Sequence, residues 1–210
     1  MRLTVITGRW IFKAGAGAAL LLTLALQQVA CSSALPHSQA YRPLPLAEAP
    51  RSLAVLPVID HGDHPPGGRL LMLLLADELA ACRQWRVALE GDVMNVYRQL
   101  RLPPWQVPDQ HQLQAIAGRL GAELLIAGEV LAMEERPAAD LTRTMLEVRV
   151  RVFDRHGRQL WSTSHQRRGE DYRTLLHFGV PHTISGLARN AAGEILTHWQ
   201  GKEWLLCPDS

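Results

Sequence analysis

Three groups of side chains in this sequence have the types and spacing for chemistry. His61, Asp63 and His64 share one loop, His61–Gly68, and imidazoles beside a carboxylate can hold zinc. Their spacing matches no strong metal signature, and a His/Asp-rich turn is equally an ordinary solvated loop. Glu134-Glu135 and Glu170-Asp171 are acidic pairs. General acid–base work needs carboxylates held in a pocket, and nothing in the sequence puts these pairs in one. No G-x-S-x-G, P-loop, G-x-G-x-x-G or H-E-x-x-H motif occurs. The expectation is therefore no catalytic residue, no metal site and no enzyme. A metal-dependent enzyme using the His61–His64 loop stays as an alternative.

The third group is arginine. Arg143, Arg149, Arg151, Arg155, Arg158, Arg167 and Arg168 lie close together, opposed only by Glu147 and Asp154 before Gly169. Arg149 and Arg151 alternate with Val148, Val150 and Val152, so both must project from one side of a strand. Planar guanidinium groups suit carboxylates and phosphates. The residues expected to form an anionic-partner face are Arg149, Arg151, Arg158 and Arg167, facing an anionic polymer, lipid headgroups or an acidic protein. The alternative is a solvated sheet face in an arginine-rich chain, which the presence of only two lysines supports.

The cysteines carry a separate chemistry. The first thirty residues hold Arg2, Arg9 and Lys13 and no acidic residue, so the net charge of +2 becomes −1 once they are removed. Ala14–Leu26 is apolar except for Thr23. Such a run spans about 20 Å as a helix, short of a hydrocarbon core of about 30 Å. A charged start followed by a short apolar middle is the layout of an export signal. It ends Gln28-Val29-Ala30-Cys31, which resembles a lipobox, although Leu is usual where Gln28 stands. The resemblance implies cleavage before Cys31 and a covalent diacylglycerol and N-acyl lipid on that residue, with no other cofactor. An ordinary signal peptide cut near Ala30, or an uncleaved anchor, is the other reading. The residue after Cys31 is Ser32 and not the Asp associated with inner-membrane retention. The expected site is thus the periplasmic face of the outer membrane.

Cys82 and Cys207 remain. In an oxidising compartment they can form a disulfide if the fold brings their Cα atoms within about 4.4–6.8 Å. Otherwise Cys82 is a buried thiol on an apolar helix.

These groups need a scaffold. The 210 residues are 47% hydrophobic and 20% charged, a globular balance with room for one ordinary domain or two very small ones. No apolar run reaches the roughly 20 residues of a spanning helix, which excludes a multi-pass membrane protein. A net charge of +2 argues against a nucleic-acid binder. Ser32–Pro50 has four Pro, three Ser and no hydrophobic period, so residues 31–50 read as a lipidated cysteine and a flexible tether. The domain is expected at 51–210. Leu53–Ile59 reads as a buried strand, Arg69–Cys82 as a helix apolar on most sides, and Trp85–Leu89 as a short strand. Asp92 is expected to cap a helix to Leu100. A further helix runs from Pro108-Asp109 to Gly121, and Ala122–Met133 is a strand. Met145–Phe153 and Arg158–Gln166 form a hairpin around Asp154–Gly157. The last helix, about Pro181–Trp199, carries Ile184, Leu187, Ala188, Ala191, Ala192, Ile195, Leu196 and Trp199 on one stripe. The order β-α-β-α-α-β-β-β-α gives an α/β sandwich with a mixed sheet. Of the tryptophans, Trp85, Trp161 and Trp199 are expected in the core, and Trp105 and Trp204 are the two that could be exposed contacts.

That order, with Leu53-Ala54-Val55-Leu56-Pro57, Gly67-Gly68, the run Leu120–Val130, Val150–Asp154 and Gly157 followed by Leu160-Trp161-Ser162, resembles the CsgG-like periplasmic lipoproteins. The group includes the curli secretion-channel lipoprotein, the Pel polysaccharide lipoprotein PelC, the synthase activator LpoB and the start of TolB. The resemblance covers about residues 52–199 and leaves Tyr172 and His177-Phe178-Gly179 unassigned. The Tyr97–Gln112 and Met133–Arg143 connections are too short and too polar for membrane-spanning hairpins, so a barrel-forming channel is not expected. What the resemblance implies is a non-enzymatic accessory in assembly or export of an envelope or extracellular polymer, forming homo-oligomeric rings or binding an envelope protein. An LpoB-like regulator of a peptidoglycan synthase is the alternative, for which a tether of this length is short.

Overall fold

The alternation read in Met145–Phe153 organises the structure. A computed structural model describes residues 37–40, 52–62, 66–82, 85–138, 141–174 and 178–200, with backbone only at 37–40, 138, 141 and 200. In it, β5 (Leu124–Ala138), β6 (Leu141–Asp154) and β7 (Gln159–Arg168) form an antiparallel meander. Leu146, Val148, Val150 and Val152 are each at most 1% exposed. In register with Val148, Val150 and Val152 lie Val130, Gly128 and Ile126 of β5 and His165, Thr163 and Trp161 of β7. Register partners share a face, so these residues build one buried surface.

The sheet has seven strands, in the order β1-β7-β6-β5-β2-β4, with β3 pairing β5. β2 (Ser52–Val55), β3 (Ile59–Asp60) and β4 (Arg86–Val87) are parallel to their partners. β2 lies inside the sheet and is buried at every residue, which is why it reads as an unbroken apolar run. The mixed-sheet α/β sandwich expected from the sequence is what forms. β1 (His37–Ala40) is a departure: it pairs antiparallel with the outer edge of β7. Part of the segment read as a tether is therefore an edge strand, held through backbone hydrogen bonds that need no apolar side chain.

The helices are α1 (Gly67–Ala81), α2 (Glu90–Leu100), α3 (Gln110–Leu120) and α4 (Ile184–Gln200). α1 and α4 pack on each other and on β5. The α4 stripe is buried throughout, with Leu187, Ala188, Ala191 and Ala192 fully so. Trp199 of α4 stacks with Trp161 of β7 at 6.1 Å and meets Trp85 edge-on at 5.7 Å, so these three tryptophans are core. Trp105 is 74% exposed in the loop between α2 and α3; Trp204 lies outside the described residues.

Local sequence fixes the helix ends. Asp109 caps α3 through a reciprocal capping box with Gln112 at 2.8 and 2.9 Å, and Gly121 ends it at φ +61. Asp92 does not cap α2. Leu89 holds that position with extended backbone, and Asp92 stands in the first turn with Glu90, where negative charge favours the helix dipole. Gly67-Gly68 start α1 because the chain passes close to Val58, to Asp60 of β3 and to Met133 of β5. A Cβ on Gly68 would lie 2.4 Å from the Val58 carbonyl oxygen. Asp60 locks this approach, accepting the Gly62 N–H at 2.9 Å and the Gly68 N–H at 3.0 Å.

This contact gives a paired prediction. Gly68→Ala should destabilise the full chain by about 1–3 kcal/mol through overpacking. Gly118→Ala, in α3 with nothing within 4 Å of an added Cβ, should stabilise it by about 0.5–1 kcal/mol. Urea midpoints read both, and equal shifts would show that the close approach is absent.

Candidate functional site

The side of the meander opposite the buried surface is polar. Glu129 of β5 pairs in register with Arg149 of β6, and Ala127 with Arg151. Arg149 is exposed and Arg151 half-buried. Arg151 Nη2 donates to the Glu129 carboxylate, and His61 Nε2 stands 3.5 Å from the other Glu129 oxygen. Ser162 and Ser164 of β7 continue this side, in register with Arg151 and Arg149.

The four arginines expected to share one face are divided. Arg149 and Arg151 do share it. Arg167 is in register with Leu146 and so points under the helices, where its Nε donates to Glu194 at 2.8 Å. Arg158 sits past the hairpin turn and is held by Asp154, with Nε at 2.7 Å and Nη2 at 2.6 Å. The cause is parity. Residues an even number apart on one strand share a side, but the hairpin reverses the chain and a register shift between Val152 and Phe153 resets the count.

Asp154 holds the turn itself. Its Oδ1 accepts the His156 and Arg158 N–H groups at 2.8 and 2.9 Å, and Gly157 turns at φ +68. Burial pushes the Asp154 carboxyl upward, but these hydrogen bonds and the Arg158 charge outweigh it and hold the carboxyl below its ordinary value.

The acidic pairs are structural. Glu135 Oε2 accepts the Ile184 N–H at 2.8 Å and so caps α4, while Glu134 pairs with Arg136 at 3.0 Å. Glu170 stands 3.5 Å from Arg143, and Asp171 accepts the Arg168 N–H at 2.8 Å. Asp63 and His64 lie outside the described residues. Among the described residues no three His, Cys, Asp or Glu side chains are placed to hold a metal ion. Cys82 caps the end of α1 and is disulfide-bonded; Cys31 and Cys207 both lie outside the described residues.

A cluster the sequence reading missed lies between β7 and α4. His165 is 1% exposed. Its Nε2 is 2.9 Å from Glu194 Oε2, and its Nδ1 has no hydrogen-bond partner among the described residues. Arg167 shares the same Glu194 oxygen. Tyr172 closes the cluster: burial and then the Glu194 charge push its hydroxyl above the ordinary tyrosine value. The alternation Trp161, Thr163, His165, Arg167 was the available signal, since it puts His165 on the Trp161 side.

No protein-family profile matches this sequence, and no curated protein matches it either. Several solved bacterial structures resemble it at low sequence identity. The PelC dodecamer from Paraburkholderia phytofirmans superposes with a TM-score of 0.50 at 15% identity, over 78% of this chain and 96% of that one. A single-site variant of it gives 0.51 at 16% identity. Lipoprotein GNA1162 from Neisseria meningitidis gives 0.51 at 18% identity, over 73% of this chain and 100% of that one. The LpoB C-terminal domain from Salmonella enterica, at 0.45, falls below the level from which a shared fold is argued. The likeness shows a shared fold and does not single out the curli secretion-channel lipoprotein.

The His165 cluster gives a pH prediction. Burial first, then the Arg167 charge, lowers the His165 pKa against the opposing pull of Glu194, with His198 adding to the lowering. The unfolded chain then binds the proton more readily. Stability should be fully present above the unfolded histidine value of about 6.5 and fall as pH drops below it, by at most about 1.4 kcal/mol per pH unit. Urea midpoints between pH 7.5 and 5.5 should show this decline, with a flatter profile in His165→Gln. Identical slopes in both proteins would refute the assignment.

Proposed function

We propose that this protein is a bacterial envelope lipoprotein that works by binding and not by catalysis. It is anchored through lipid on Cys31 to the periplasmic face of the outer membrane. There it acts as an accessory in assembly or export of an envelope or extracellular polymer, as a homo-oligomer. The observation that carries the reading is the fold match covering 78% of this chain and 96% of a protein that forms a dodecamer. The lipobox-like Val29-Ala30-Cys31 and the lipoprotein among the similar structures support the anchor.

In this reading the contact with an anionic partner falls to Arg149, beside Arg151, which Glu129 already holds. Arg158 and Arg167 are committed to Asp154 and Glu194 and drop out. The disulfide of Cys82 is assigned to Cys207, since Cys31 is taken by lipid. Such a bridge closes a loop of most of the domain and contributes about 4–5 kcal/mol in the chain-entropy account.

One preparation tests anchor and bridge together. Mass mapping of the unreduced mature chain should find an acylated N-terminal Cys31 peptide and a Cys82–Cys207 linked peptide. Cys31→Ser should leave the membrane fraction or remain uncut. A free, unacylated N-terminus elsewhere, or a Cys31–Cys82 link, would end the lipoprotein reading.

A further inference from the structure

The sheet ends at β4, and beside that edge lies a groove of about 670 Å³ between β4, the start of β2, α2 and α3. Its volume is inside the roughly 300–1,000 Å³ range of small-molecule sites. Asp92, Asn95 and Gln99 of α2 line one wall. They are three and four residues apart, so they form one stripe along the helix. They are exposed and belong to the polar side of α2, opposite its buried Val93, Val96 and Tyr97, and offer a carboxylate and two amides.

Two arginines from separate elements line the same groove, Arg86 of β4 and Arg119 of α3. Arg119 Nη1 donates to Gln99 Oε1 at 2.7 Å, which orients the guanidinium and leaves its other N–H groups and the Gln99 NH₂ available. Arg86 is in register with Ser52, whose hydroxyl donates to the Gly121 carbonyl at 2.8 Å and can still accept. Neither arginine forms an ion pair among the described residues, and Asp92, though it lines the same groove, pairs with neither. Two guanidinium groups against one carboxylate leave the groove net positive.

We infer that this groove binds an oxyanion carried on a hydroxyl-rich scaffold, as in a uronic acid unit or a sugar phosphate. Arg86 and Arg119 take the carboxylate or phosphate through paired N–H donors, while Asn95, Gln99 and Ser52 bond to hydroxyls. Asp92 opposes the anion and limits its affinity. The inference rests on the groove alone and stands apart from the export reading.

Calorimetric titration of the full chain in detergent micelles, at fixed low salt, tests it with three probes: trigalacturonate, glycerol phosphate and neutral cellotriose. Saturable binding of trigalacturonate or glycerol phosphate, but not of cellotriose, is expected, and the probe that binds identifies carboxylate or phosphate as the natural anion. Arg86→Gln and Arg119→Gln should each weaken binding about tenfold, and Asp92→Asn should tighten it several-fold. Arg189→Gln, an exposed arginine on α4, should change nothing. The opposite signs matter, because a merely damaged fold would not bind more tightly. No saturable binding of either anionic probe, equal binding of cellotriose, or the same loss in Arg189→Gln would overturn the inference.

Discussion

The register of β6 against β5 is the constraint on which the rest depends. Leu146, Val148, Val150 and Val152 face the helical layer, and burying each contributes about 1.5–3 kcal/mol. A slip of one residue would drive Glu147, Arg149 and Arg151 under α1 and α4 and expose the valines. The register is therefore strongly specified, and it determines which charges reach solvent. Gly128 belongs to the same surface: a Cβ there would lie 3.0 Å from a Val58 methyl group, so β5 takes a glycine where Val58 crosses it.

Under that constraint most residues that look chemical in the sequence become structural. Asp154 fastens a hairpin, Glu135 caps a helix, Asp60 holds α1 against the sheet, and Arg167 neutralises a carboxylate beside a buried histidine. Among the described residues, what remains free includes Arg149 on the sheet face, Trp105 on its loop and the polar groove beside β4. That distribution suits a protein that works through its surface.

Where burial and capping spoke together, the sequence was legible. The valine alternation of β6, the apolar stripe of α4, and the Pro108-Asp109 start and Gly121 stop of α3 each gave an element with a physical reason. Legibility failed where structure needs no hydrophobic period. β1 adds to a sheet edge through its backbone. β5 runs on past Met133 because Glu134, Glu135 and Arg136 need only pair with β6. A register shift between Val130 and Ala132 resets the side-chain parity of β5 in mid-strand, so no single alternation describes it. The arginine face was overcounted for a related reason: proximity in sequence was read as proximity in space across a turn. The His165–Glu194 contact spans 29 residues, and only the packing of α4 on β7 reveals it.

The central claim is a membrane-anchored binding module that assembles with copies of itself. The most direct measurement is the molar mass of the full chain, extracted from membranes in mild detergent, by light scattering after size exclusion, with the detergent contribution subtracted. The account predicts a discrete species several times the 23.4 kDa of one chain. A strict monomer, both in detergent and on lipid vesicles, would contradict it.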